Sequence, residues 1–100
     1  MKLVYSRRAL ADLDEIANYY SINASPALAR SVEERLIQAI ERIHFMPEAA
    51  PHVSQRSHIR AIAVVRYLFR IFYRLRDESI DILHIRHTSR RPARAAPSKE

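Results

Sequence analysis

Three spacings of apolar residues divide the chain. Between Arg7 and Tyr20 the positions Ala9, Leu10, Leu13, Ile16, Ala17 and Tyr20 recur every three or four residues, which is one face of a helix. Ser6 precedes them as an N-cap, its hydroxyl able to accept from a free amide of the first turn. Ser21 to Ser25 breaks the pattern. Ser25 and Pro26 then open a second helix, with proline where no amide hydrogen is required. This helix is expected to run to about Phe45 and to bury Leu28, Val32, Leu36, Ile40 and Ile43, while Arg30, Glu33, Glu34, Arg35, Glu41 and Arg42 form a solvated face with local ion pairs. Joined by about five residues, the two helices make an antiparallel hairpin.

From His58 the pattern changes to that of strands. Lys2 to Tyr5 is a short β-prone opening, Pro47 to Ser57 a loop, and IRAIAVV, YLFRIFYRL and SIDILHIRH three consecutive antiparallel strands, with Arg76, Asp77 and Glu78 as the last turn. Alternation places Tyr67, Phe69, Ile71, Tyr73 and Leu75 under the helices and Leu68, Arg70, Phe72 and Arg74 on the open side. In the last strand it groups Leu83, Ile85 and His87 against Ile80, Ile82, His84 and Arg86. The fold class is therefore α+β: an N-terminal strand and a two-helix hairpin on a mainly antiparallel sheet of three to four strands. The chain has no glycine, so its turns need another residue at positive φ, and Asp77 is the best candidate.

Composition narrows the class. One hundred residues suit a single domain with one modest core, expected over residues 1–90, with 91–100 as a basic, flexible tail. No apolar run approaches a membrane span, and no apolar leader precedes the first charges, so the cytoplasm is expected. The absence of cysteine removes disulfides and thiolate chemistry, and the five scattered histidines have no zinc spacing. No phosphate-cradling glycine loop, metal-spaced carboxylate pair or nucleophile motif occurs, so neither a cofactor, a metal nor a small-molecule substrate is expected. Charge is the stronger signal. Residues 1–50 sum to −1 and residues 51–100 to +7, and fifteen of the seventeen cations are arginine. The second half thus expects an anionic partner.

The pieces Arg70-Ile71-Phe72-Tyr73-Arg74, Ile82-Leu83-His84-Ile85-Arg86-His87 and Arg90, together with Ser6-Arg7-Arg8-Ala9-Leu10-Ala11-Asp12-Leu13 in the first helix, resemble the RelE/ParE superfamily of type II toxins, its ParE branch in particular. The resemblance covers about residues 1–91. It departs from the family's usual glycines in the loop before the second strand, near Val65 and after the last strand, where Thr88 stands. It implies a bacterial toxin of a toxin–antitoxin, or plasmid-stabilisation, system. In the ParE branch such a toxin inhibits DNA gyrase and forms a hetero-oligomer with a ParD-like antitoxin.

The alternative within the resemblance is a RelE-like, ribosome-dependent mRNA endonuclease. Its residues here would be Arg70, His87 and Arg90. The lysines of that branch correspond to Ala61 and Ala63, and its C-terminal tyrosine falls near Ala96; alanine transfers no proton. His87, sharing a side with Leu83 and Ile85, reads as a structural histidine at the core edge. The ParE reading places target binding at Arg86, Arg90 and Arg91. It places antitoxin binding at Leu68, Arg70, Phe72, Arg74, Ile82, His84 and Arg86, where apolar anchors and cations meet. A third function, a non-catalytic nucleic-acid-binding module, lacks paired exposed aromatics on which bases stack.

Overall fold

The computed structural model describes residues 1–54 and 58–87. Its elements are β1 (Lys2–Tyr5), α1 (Arg7–Asn23), α2 (Pro26–Phe45), β2 (His52–Ser54), β3 (Ile59–Val64), a 3-10 turn (Val65–Tyr67), β4 (Phe69–Leu75) and β5 (Ser79–His87). Both helices begin where the sequence places their caps: Ser6 Oγ accepts from the Ala9 amide at 2.9 Å and Ser25 Oγ from the Leu28 amide at 3.1 Å. The first helix runs three residues past Tyr20, which shortens the connection to Ala24 and Ser25.

The α+β class and the two-helix hairpin stand as expected, but the sheet has five strands rather than three or four, in the order β1-β5-β4-β3-β2. The extra strand is β2. It lies in the segment read as a loop, because three residues pairing only at His52–Arg60 and Ser54–Ile59 leave no alternation to detect. The first strand joins parallel to β5, Lys2 opposite Ser79 and Tyr5 opposite Ile82, while the remaining neighbours are antiparallel.

Helices cover one face of this sheet. Phe69, Ile71 and Tyr73 of β4 and Ile80, Ile82 and Ile85 of β5 are buried there against Val32, Leu36, Ile40 and Ile43 of α2 and Ala9 and Ile16 of α1. Each large apolar side chain so buried contributes about 1.5–3 kcal/mol. Leu10, expected on the buried stripe, is instead 54% exposed.

Alternation fails once, and it changes the face of two residues. Phe72 lies opposite His84, yet the next residue, Tyr73, lies opposite Ile82, so Leu83 is an extra residue on β5. A bulge of one residue inverts the parity beyond it. Ile80 and Ile82, assigned to the open side with His84 and Arg86, are therefore fully buried in the core, and Ile82 leaves the docking set. A second correction concerns the turns: positive φ falls at His58 (58°) and Leu68 (60°), not at Asp77. Leu68 connects the 3-10 turn to β4, so β4 starts at Phe69 rather than Tyr67.

Candidate functional site

The uncovered face of the sheet is a grid set by register. On β4 it presents Arg70, Phe72 and Arg74; on β3, opposite them, Ala63, Ala61 and Ile59; on β5, Arg86, His84 and Asp81. Two ends of the grid differ in charge. Asp81 faces Arg74 and also accepts from Arg76 Nη1 at 3.4 Å and from Ser79 Oγ at 3.1 Å, so that end is compensated. At the other end Arg70 and Arg86 stand directly across from each other, and among the described residues neither is within ion-pair distance of a carboxylate. Like charges in such a cross-strand pair repel.

Phe72 holds the two arginines flat. Their Cζ atoms lie 5.2 Å (Arg70) and 5.6 Å (Arg86) from its ring centroid, contacts worth roughly 0.5–1 kcal/mol each where partly exposed. His84 stacks on the same ring, 5.7 Å between centroids and 14° between planes. Its own orientation comes from α1. Because β1 ends at Tyr5, the outer edge of β5 has no strand partner from Leu83 onward, and the start of α1 takes its place. Ser6 Oγ donates to the Leu83 carbonyl at 2.8 Å, and Asp12 Oδ2 accepts from the Ile85 amide at 2.9 Å and lies 2.7 Å from His84 Nδ1. With the Nδ1 proton directed at Asp12, His84 Nε2 is free to accept from Arg8 Nη2 at 3.3 Å. The result is a carboxylate-oriented imidazole beside two unneutralised guanidiniums. Sequence reading placed His84, Arg70, Phe72, Arg74 and Arg86 on this face but missed Asp12 and Arg8; both stand in the first-helix motif, yet nothing local links them to a residue 72 or 76 positions away.

The other expected residues are placed differently. His87 lies on the core side, edge-on to Phe69 at 4.8 Å and 3.5 Å from the Tyr20 hydroxyl, so the sheet separates it from Arg70. Arg90 and Arg91 lie outside the described residues. Leu68 is 51% exposed beside the cationic end.

Two cavities adjoin these elements. One, of about 560 Å³, is walled by Ile43 and Met46 of α2, Ala50 and Pro51, and Ala61 of β3, with Arg42, Arg70 and Tyr73 contributing polar groups. Tyr73 Oη donates to the Pro47 carbonyl at 2.8 Å, and burial pushes the phenol above its ordinary value against the opposing pull of the Arg60 guanidinium. The other cavity, of about 420 Å³, is an apolar groove between α1 and α2 that includes Leu13, Ile16, Val32, Leu36 and Tyr5. Burial raises the Tyr5 phenol too. Among the described residues no cluster of three or more His, Asp or Glu could hold a metal ion, and no helix is long and apolar enough to cross a membrane.

A hairpin of helices on a five-stranded sheet, with an arginine-rich open face, defines the toxin fold of the RelE/ParE class. The model of the ParE toxin of type II toxin–antitoxin systems matches residues 3–92, and the chain belongs to that family. Solved structures agree. A chain of the chromosomal ParDE toxin–antitoxin system from P. aeruginosa is 25% identical, superposes with a TM-score of 0.77, and is covered over 95% of its length by 87% of this chain. A YoeB/ParE toxin from Agrobacterium tumefaciens is 17% identical, with a TM-score of 0.61 and coverage of 87% of this chain and 98% of that one. The E. coli RelBE toxin–antitoxin complex gives 15% identity and a TM-score of 0.53, over 84% of this chain and 92% of that one, and shares the fold alone. No curated protein sequence matches the chain.

Proposed function

We propose that this type II toxin acts in the bacterial cytoplasm by binding DNA gyrase, and that a ParD-like antitoxin neutralises it in a hetero-oligomer. The observation that carries the binding reading is the neighbourhood of Arg70. Its β3 neighbours are Ala63 directly opposite and Ala61 two positions on, and the Tyr73 hydroxyl in the same cavity is tied to a backbone carbonyl with its pKa raised. Cleaving a phosphodiester requires groups that take and give a proton beside the cations; alanine supplies neither. The target surface on this reading comprises Arg86 with Arg90 and Arg91.

The antitoxin contributes a segment that orders on binding. Its carboxylates meet Arg70, Arg74 and Arg86, and its apolar anchors meet Phe72, Leu68 and the groove between the helices. Replacing Arg70 and Arg74 together by Glu is expected to weaken the complex at least tenfold by calorimetry; unchanged affinity would exclude this face.

The endonuclease remains the second reading, favoured by one observation: the Asp12-oriented His84 next to Arg70 and Arg86, which replaces His87 as its acid–base residue. Pulse labelling after induction without antitoxin separates the two. Gyrase inhibition stops thymidine incorporation first, whereas an endonuclease stops methionine incorporation first and loses that effect in His84→Ala.

A further inference from the structure

We infer that the free edge of β3 at Ala63 receives an acidic, extended segment of the antitoxin as an additional strand. The inference rests on the antitoxin reading and adds a site to it, distinct from the open face.

The edge follows from the hydrogen bonding of β3. The Ala61 amide donates to the Pro51 carbonyl at 3.3 Å, so the main-chain groups of Ala61 point away from β4. In an antiparallel pair such groups alternate in direction, and those of Ala63 therefore point the same way. The second strand pairs only with Ile59 and Arg60. Beyond it the N–H and C=O of Ala63 meet no strand, and Ala63 is exposed. The open stretch Ala61–Val64 is about 13 Å long at 3.3 Å per residue, room for a strand of three to four residues running on in line with β2.

Chemistry around the edge selects what can pair there. The 560 Å³ cavity with Arg42 and Arg70 lies at one end of the stretch, and a second cavity of about 320 Å³ with Arg35, Arg42 and Arg66 at the other; Ala63 lines both. Among the described residues none of these four arginines is within ion-pair distance of a carboxylate. On α2 the contrast is plain in the sequence: Arg30 has Glu33 and Glu34 three and four residues on, while Arg35 and Arg42 have no acidic residue at either spacing in either direction. Arginines at an open edge repel a second basic edge, so another copy of this chain is disfavoured. A strand carrying carboxylates gains the opposite way. Main-chain bonds to Ala63 fix its register, alternate side chains enter the apolar cavity beside Ile43 and Met46, and its carboxylates meet Arg42 and Arg66.

The test uses the antitoxin encoded immediately upstream of this chain, titrated against the full-length toxin. Ala63→Pro removes the outward amide without touching a bond to β4 and is expected to weaken binding about tenfold. Arg42→Glu with Arg66→Glu should weaken it ten- to a hundredfold, and Arg30→Glu by less than twofold. In the unaltered complex the Ala63 amide should exchange with solvent at least tenfold more slowly than in the free toxin, a readout that needs no variant to fold. Full affinity in the charge-reversal pair, or an Ala63 amide that exchanges equally fast in both states, would overturn the edge site while leaving the antitoxin reading intact. No binding to the unaltered toxin would sink that reading and this one together.

Discussion

Asp12 shows how much one side chain does here. Its Oδ2 satisfies the Ile85 amide on an edge that β1 has already left, and it also sets the plane of His84 against Phe72. Removing it orphans a partly buried amide, which costs about 1–3 kcal/mol. We expect Asp12→Ala to lower stability by that amount in urea denaturation and also to weaken whatever binds Arg70 and Arg86, because their aromatic support loses its fixed neighbour. A loss of stability with no change in partner affinity would show that His84 does not organise the face. Sequence reading had no means of reaching this residue: its partners are 72 and 73 positions away, and carboxylates are common on the outside of helices.

Among the elements, the junction between β3 and β4 is the least regular. A family that usually places glycine near this turn has here a 3-10 turn, Val65–Tyr67, closed by Leu68 at φ 60° and ψ 39°. For a residue with a Cβ that conformation costs roughly 1–2 kcal/mol, and a β-branched side chain suffers more. Leu68→Val should therefore destabilise the fold by about 1–2 kcal/mol, while Leu68→Gly should be tolerated or slightly stabilising; equal melting temperatures for the two variants would contradict this account. The bulge at Leu83 is the other irregular element. It turns Ile80 and Ile82 inward while leaving His84 and Arg86 outward, so one strand serves the core at one end and the site at the other.

At the scale of the whole molecule, charge and burial are segregated: the helical face seals the core, and the cations of the second half collect on the open face and the β3 edge. Two phenols are caught at the borders. Burial raises the pKa of both Tyr5 and Tyr73 above the model value of 10.0, so the folded state holds these protons more tightly than the unfolded chain. Their contribution is fully present below about pH 10 and is lost as pH rises through the raised folded-state values. Unfolding free energy should accordingly fall between about pH 9.5 and 11, with a shallower fall in Tyr73→Phe. An unchanged slope in that variant would mean that Tyr73 ionises as freely folded as unfolded.

The amino-acid sequence by itself determined the parts governed by local rules. Helix starts at Ser6 and Ser25, the extent of α2, the inward set Phe69, Ile71 and Tyr73, and the outward set Arg70, Phe72 and Arg74 all follow from capping chemistry and periodicity, which act over a few residues. The resemblance carried by the strand motifs led to the right family for the same reason, since those motifs are contiguous. Only tertiary structure decided the rest. The short β2 strand exists because β3 offers it an edge, the bulge is a relation between β4 and β5 rather than a property of either, and Asp12 reaches His84 only after β1 has carried the helix to the far side of the sheet. Pairing, register and edge exposure are set by strands distant in the chain, and no pattern within one strand encodes them.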